Sequence, residues 1–298
     1  MLLIVGIMPL KDLPLVKGRV CRENDSLVVD NYKIPCSQGT AAMVSAALEV
    51  TEYLGLDAPY LILAGDTGTG KGSRQTYHYL NNHLVSLKPQ VLVLHYWMPV
   101  LKLMQDLYNV VDQCDKRPVI IADAASMYAA KACGLAPGFD IFTPDSSELA
   151  FLADAEALHP AYIKKHLFQS DTDRHPELIE TAYENQGASK ILLVKGKQDL
   201  IANNNGIIAT VDEPDIPAME CIGGTGDSIT GMCAALVYGG MPLEKAAVTS
   251  ASVNRMAGKM AGVNPASRIN ELIKQIPAVL EQTKFKNYVR GFYYVSRG

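Results

Sequence analysis

Gly223-Gly224-Thr225-Gly226-Asp227-Ser228-Ile229-Thr230-Gly231 marks the point where this chain changes its pattern. Before it, short apolar runs alternate with amphipathic stretches. Strand candidates are 2–7, 60–64, 91–95, 119–122, 141–143, 190–194 and 200–202. Helical patterns lie between them at 41–54, 73–87, 98–113, 125–133, 148–153 and 176–186. That βαβα order predicts a mainly parallel central sheet with helices on both faces. Punctuation agrees with it: Pro176 and Glu177 open one helix and Gly187 closes it. Beyond Gly223 the pattern turns to consecutive helices, expected over 227–238, 242–261 and 270–281, the last interrupted by Pro277.

The quoted stretch also carries chemistry. Four glycines fall in nine residues, and the small apolar run Met232-Cys233-Ala234-Ala235-Leu236-Val237 follows as a buried helix. The glycines therefore sit at a helix N-terminus, whose unpaired N–H groups and positive dipole end bind anions. Glycine lets backbone approach a ligand with no Cβ in the way. A carboxylate at Asp227 would repel a phosphate there, so it needs a reason. One reason is a base that takes a proton from a hydroxyl while the amides hold the phosphoryl group. The other is an ordinary acidic residue in a first helical turn. The density of glycines, each carrying an entropic cost, favours the chemical reason.

The chain has 298 residues, 48% hydrophobic and 19% charged, enough for one large α/β domain or two small ones. A single domain over 1–298 is expected. A net charge of −4 and a pI near 5.9 argue against a nucleic-acid surface or an electrostatic membrane anchor. Six cysteines include no C-x-x-C pair and read as reduced thiols of a cytoplasmic protein. The apolar start, residues 1–8, lacks a basic flank and is too short to span a bilayer, so it reads as a first strand. Residues 9–38 are less regular, with a hairpin expected at 26–29 and 32–34. The basic, aromatic stretch 284–298 reads as a terminal strand or an oligomer contact, and a homo-oligomer is expected.

Three further constellations compete for a role. Gly65-Asp66-Thr67-Gly68-Thr69-Gly70-Lys71 follows a strand and fits the start of a P-loop, but Gly72 stands where Ser or Thr should bind Mg²⁺. A tight strand–loop–helix connection, a substrate-binding loop and a P-loop hydrolase using Lys71 all remain open. Thr143-Pro144-Asp145-Ser146-Ser147-Glu148 ends a strand and opens a helix. Asp145, Ser146 or Ser147 would cap that helix with Glu148 in its first turn. Equally, Glu148 at the carboxyl end of a strand could hold hydrated Mg²⁺. In Leu193-Val194-Lys195-Gly196, Lys195 ends a buried strand, beside a nucleotide phosphate or simply at solvent. Asn203-Asn204-Asn205-Gly206 supplies a hairpin turn after it. His95 ends an apolar strand and could line a pocket; the six histidines show no metal-ligand spacing.

The order of these pieces resembles the ribokinase-like superfamily, and within it the ATP- or ADP-dependent NAD(P)H-hydrate dehydratases, with hydroxyethylthiazole kinase as a neighbour. The resemblance is good from about 118 to 262 and weak before that. Residues 118–124 look like the family strand ending in an aspartate, Asp123, near the substrate. Residues 143–148 look like its T-P-x-x-x-E segment, and Leu193-Val194-Lys195-Gly196 like its L-K-G strand end. Residues 223–231 are similar to its G-G-T-G-D-x-L-T-G anion hole. Val253-Asn254-Arg255-Met256-Ala257-Gly258 looks like the helix carrying H-G-x-A-G-D. Asn254 replaces that histidine and Lys259 the aspartate. The family's G-P-G-L-G loop is replaced by His95-Tyr96-Trp97-Met98-Pro99, and Gly39-Thr40-Ala41-Ala42 stands near its early glycine-rich segment.

The resemblance implies a ribokinase-like three-layer α/β sandwich that transfers a phosphoryl group from ATP or ADP to a small-molecule hydroxyl. It implies Asp227 as base with Gly224, Thr225 and Gly226 as the anion hole. Lys195, Gly223 and Asn254 would bind nucleotide, Asp123 and His95 substrate, and Glu148 Mg²⁺ through water. The substrate would be a nicotinamide dinucleotide hydrate or a small alcohol or sugar. The departures also leave room for a nucleotide-binding protein without catalysis.

Overall fold

The computed structural model describes residues 1–157 and 174–282. In chain order they form β1 (Leu2–Met8), β2 (Val16–Arg19), β3 (Cys21–Glu23), β4 (Ser26–Val29), β5 (Tyr32–Pro35), α1 (Thr40–Leu54), β6 (Tyr60–Gly65) and α2 (Lys71–Leu87). There follow β7 (Val91–His95), α3 (Leu101–Val111), β8 (Val119–Asp123), α4 (Ala125–Ala132), β9 (Ile141–Phe142), α5 (Ser146–Ala153), α6 (His175–Glu184), β10 (Ile191–Val194), β11 (Asp199–Asn203) and β12 (Gly206–Val211). The last elements are α7 (Thr225–Tyr238), α8 (Leu243–Ala261), α9 (Ile269–Ile273) and α10 (Ile276–Gln282). They group into two compact units, one from Leu3–Lys17 and Leu61–Thr210, the other from Gly18–Tyr60 and the chain from Val211 on.

The first unit is built on the sheet ordered β12-β11-β10-β9-β8-β7-β1-β6-β2. Neighbours β7, β8, β9 and β10 run parallel. Their strands are near-continuous runs of Val, Leu and Ile, as buried parallel strands require, and every residue of β7 is buried. Parallel register sets His95 opposite Asp123 at the ends of β7 and β8. β10 returns antiparallel as β11, and the expected Asn-Gly turn leads into β12. β2 and β3 escape the sequence pattern because both are short and polar, and only their neighbours make them strands. α3 begins at Leu101 rather than at 98. Met98 precedes Pro99, which disfavours helical backbone, and its N–H donates to Ser73 Oγ at 3.1 Å.

The second unit packs α1, α7, α8, α9 and α10 with the small antiparallel sheet β3-β4-β5. Its core contact is α1 on α7. A Cβ at Gly231 would lie 2.0 Å from the Met43 carbonyl oxygen, so only glycine lets these two helices come this close. The third helix expected after 223 is broken into α9 and α10. The break at Lys274 and Gln275 precedes Pro277, whose ring cannot sit against a helical carbonyl four residues back. Among the described residues no helix is long and apolar enough to cross a membrane. The expectation for 284–298 lies outside the described residues.

Candidate active site

In the second unit, Gly224 caps α7 with φ +102°, a left-handed conformation that glycine adopts at little cost. A Cβ on Gly224 would lie 2.9 Å from Ala42 Cβ, and one on Gly223 would lie 2.3 Å from Gln38 Oε1. Gly223 and Gly224 thus pack directly against Gln38 and Ala42, with no room for side chains of their own. The first amides of a helix have no intrahelical acceptor. Thr225 Oγ1 turns back instead, donating to the carbonyls of Met219 at 3.3 Å and Ile222 at 3.2 Å. Asp227 lies in the same turn, half-buried, and its Oδ2 accepts the Gly39 N–H at 2.9 Å. Gly39 is itself the cap of α1, so one carboxylate stands at the positive ends of two helices. Asn254 is buried on α8 and holds the turn from behind. Its Nδ2 donates to the Thr225 carbonyl at 3.2 Å, and its Oδ1 accepts Ser228 Oγ–H at 2.7 Å.

In the first unit, the carboxyl ends of four adjacent parallel strands bring together His95, Asp123, Thr143 and Lys195. Lys195 Nζ donates to Asp123 Oδ1 at 2.8 Å, with both side chains nearly buried. His95 Nε2 lies 3.9 Å from Asp123 Oδ2. The Ala124 N–H also donates to Asp123 Oδ1, and Ala124 pays for that with φ +54°. The segment between β9 and α5 is clamped by Lys195, whose N–H donates to the Pro144 carbonyl at 2.7 Å. Asp145 caps α5 in a full capping box: its Oδ1 accepts the Glu148 N–H at 2.8 Å, and Glu148 Oε2 accepts the Asp145 N–H at 2.8 Å.

The capping role of Glu148 is therefore present in the fold. Its carboxyl is also held well above the ordinary carboxylate range, by burial first; Lys195 works against the rise, and the Asp123 and Asp145 charges add to it. The Tyr128 phenol of α4 faces the same charges. Burial, then Glu148, Asp145 and Asp123, push its proton loss far up.

The second glycine-rich loop is not a phosphate cradle. Asp66, buried at its head, already occupies the donors that a phosphate would use. Its carboxylate accepts N–H groups from Gly68 at 3.1 Å, Gly70 at 3.0 Å and Ser73 at 3.0 Å, and the Ser73 hydroxyl at 3.1 Å. Burial opposes its charge, but those bonds together hold its carboxyl below the usual range. Lys71 is exposed. Gly65 and Gly72 are there for packing: Cβ atoms would lie 1.9 Å from the Leu10 carbonyl oxygen and 2.4 Å from that of Gly65. The P-loop expectation for Lys71 gives way to the tight strand–loop–helix connection.

The expected residues thus fall in two sets. Gly223, Gly224, Thr225, Gly226, Asp227 and Asn254 assemble at the start of α7. His95, Asp123, Glu148 and Lys195 assemble at the strand ends of the parallel sheet. Sequence reasoning missed Gln38, and it placed Gly39 near an early glycine-rich segment without foreseeing that its amide binds Asp227. It also missed Tyr96 and Tyr128, whose rings gave no periodic sign.

The profile of the carbohydrate-kinase family described as NAD(P)H-hydrate dehydratase matches residues 99–278. The uncharacterized protein MJ1337 of Methanocaldococcus jannaschii is 37% identical over 241 residues, covering 81% of this chain and 99% of that protein. The bifunctional NAD(P)H-hydrate repair enzyme Nnr of Pyrobaculum aerophilum is 33% identical over 58% of this chain, and the match spans 31% of that enzyme's length. A ribokinase-like superfamily protein from Enterococcus faecalis superposes with a TM-score of 0.56 at 12% identity, covering 94% of this chain and 87% of that one. That likeness shows the fold, a three-layer α/β architecture of the ribokinase-like kind.

Proposed function

The chain belongs to the NAD(P)H-hydrate dehydratase family of ribokinase-like enzymes, and on that premise we propose that it transfers a phosphoryl group from ATP or ADP to a hydroxyl of a nicotinamide dinucleotide hydrate. Asp227 accepts the hydroxyl proton as the terminal phosphoryl group moves. The amides of Gly224, Thr225 and Gly226 stabilise the charge that develops on its oxygens. Loss of that phosphate from the hydrated ring then yields the dinucleotide. The observation that supports this reading most is the glycine-capped first turn of α7, which carries a carboxylate tethered by the Gly39 amide.

In this reading Glu148 holds hydrated Mg²⁺, with Asp123 and Lys195 setting its charge. When bound, the ion would neutralise phosphate oxygens. Gly223 and Lys195 serve the nucleotide, and His95 and Asp123 the acceptor. Asn254 serves through the Thr225 carbonyl and Ser228, by keeping the first turn of α7 in shape.

A simple alcohol or sugar is the second acceptor considered, because His95-Tyr96-Trp97 stands where the resembled family has a glycine-rich loop. The test is a screen of the purified protein for NADH-hydrate dehydration and for phosphoryl transfer to alcohols, with ATP and ADP in separate arms. Asp227→Asn is the control. Turnover that survives in the control sinks the assignment of the base, and no turnover in any arm sinks the reading.

A further inference from the structure

The polar side chains at the first turn of α7 are committed to one another, with one exception. Thr225 Oγ1 turns back to the Met219 and Ile222 carbonyls. Ser228 Oγ shares its proton between the Thr225 carbonyl at 2.8 Å and Asn254 Oδ1 at 2.7 Å. Asn254 Nδ2 donates to the Thr225 carbonyl, and Asp227 Oδ2 accepts the Gly39 N–H. The exception is Gln38. It is exposed, and its carboxamide makes no hydrogen bond to another described residue.

Gln38 is nevertheless held in place. It directly precedes Gly39, whose amide is bonded to Asp227. A Cβ on Gly224 would lie 3.3 Å from Gln38 Cα, and one on Gly223 would lie 2.3 Å from Gln38 Oε1. Backbone and carboxamide of Gln38 thus run along the two glycines that lead into α7. Gly223 does not have a positive φ, so what it supplies is space rather than an unusual backbone conformation. Gln38 fills that space. With Oε1 against Gly223, the two N–H groups of Nε2 remain as donors. This carboxamide adjoins a turn whose first amides have no intrahelical acceptor. An anion there is attracted by the dipole of α7 and repelled by the Asp227 carboxylate. A neutral side-chain donor adds a bond to a charged oxygen, stronger than one between neutral groups.

We infer that Gln38 is the side-chain donor of the anion site at α7. Its Nε2 hydrogen-bonds an oxygen of a phosphate held over the amides of Gly224, Thr225 and Gly226, and Gly223 is glycine so that the carboxamide can lie there. That a phosphoryl group binds at this turn rests on the phosphoryl-transfer reading above; that Gln38 receives it rests on the contacts of Gln38. The ligand chemistry is a phosphate oxyanion, brought by the nucleotide or by a phosphorylated acceptor.

The test uses the full chain, with inorganic phosphate as the probe. It is titrated calorimetrically into the wild type, Q38M, Q38E, G223A and the Q38M/G223A double variant, and the melting temperature of each is recorded. Methionine keeps the length and packing of glutamine and removes the donor. Q38M is expected to weaken phosphate about tenfold at an unchanged melting temperature. Q38E is expected to weaken it further, because its charge repels the anion. G223A is expected to push the carboxamide aside and weaken phosphate to a like extent, with the double variant no weaker than either single one. ATP and glycerol 3-phosphate, in separate arms, show whether the nucleotide or a phosphorylated acceptor brings the oxyanion: Q38M weakens the one that does. Phosphate affinity retained in Q38M overturns the inference. So do additive losses in Q38M and G223A, a loss in Q38M that comes with a lower melting temperature, and a wild type that binds no phosphate. Turnover lost in Asp227→Asn but untouched in Q38M keeps the phosphoryl-transfer reading and overturns the role of Gln38. Phosphate binding that depends on Gln38, with no turnover of any acceptor, keeps that role and sinks the reading.

Discussion

The carboxylate of Asp227 accepts the backbone N–H of Gly39 at 2.9 Å across 188 positions of sequence. The bond ties the first turn of α7 to the cap of α1. It also sets the carboxylate beside two helix N-termini, whose dipoles attract negative charge. Replacing Asp227 by Asn keeps an acceptor for Gly39 and removes the charge. Turnover is expected to fall on the order of a hundredfold or more, with nucleotide affinity retained. Steady-state kinetics with calorimetric nucleotide binding separates the two effects.

Gly231 is the point of closest approach between α1 and α7. A methyl group there would lie 2.0 Å from backbone that cannot rotate away. Gly231→Ala is expected to cost about 1–3 kcal/mol through forced separation of the helices. The midpoint of urea unfolding measures it; an unchanged midpoint would contradict the packing described.

Asp66 holds the start of α2 by four hydrogen bonds within 3.1 Å. Its carboxyl titrates below the ordinary value, so its contribution to stability is present above the unfolded pKa and is lost as pH falls through the lower folded one. Asp66→Ala leaves buried amides without an acceptor and is expected to cost about 1–3 kcal/mol at neutral pH. The gap between variant and wild type should close below about pH 4. Lys71→Ala, by contrast, should leave nucleotide affinity unchanged, since the loop's amides serve Asp66.

Ala124 sits at φ +54° and ψ −141°, a region that glycine occupies almost alone. Ala124→Gly is expected to raise stability by about 1 kcal/mol, the relieved strain exceeding the added unfolded-state entropy. Differential scanning calorimetry would register a higher melting temperature. A fall would mean that the Ala124 methyl group contributes more by packing than its backbone loses.

If Glu148 holds Mg²⁺ as proposed, its raised pKa makes binding a competition with a proton. Below its folded pKa the carboxyl is neutral and the ion must displace the proton; above it the carboxylate is ready. Mg²⁺ affinity should therefore strengthen as pH rises from about 6 to about 9. Glu148→Gln keeps an oxygen for the Asp145 N–H, so the helix cap survives while the pH slope disappears. Mg²⁺ titrations of both proteins across that range provide the check.

Much of this architecture is legible along the chain. β7, β8 and β10 announce themselves as runs of Val, Leu and Ile, and their ends fall within about one residue of where those runs stop. The capping box of Asp145 and Glu148 and the glycines before α7 are local patterns, and each formed where its spacing put it. β2 and β3 were not legible, because a short polar stretch becomes a strand only when a neighbour offers hydrogen bonds. Tyr96, held at φ +57°, was not legible either, because that strain comes from anchors on β7, α2 and α4 that converge only in the fold.

The two glycine-rich loops show where sequence stops. Both present glycines before a helix and a carboxylate close by, and sequence alone determines that each helix begins there. Only the tertiary structure decides what each carboxylate meets. Asp66 curls onto its own loop and closes it. Asp227 reaches instead to the Gly39 amide at the cap of another helix, while Gly223 and Gly224 pack against Gln38 and Ala42. Helix starts follow from spacing and capping chemistry over a few residues. The partner of a charged group follows from which backbone the packing brings within about 3 Å, and that distance is set by the whole fold.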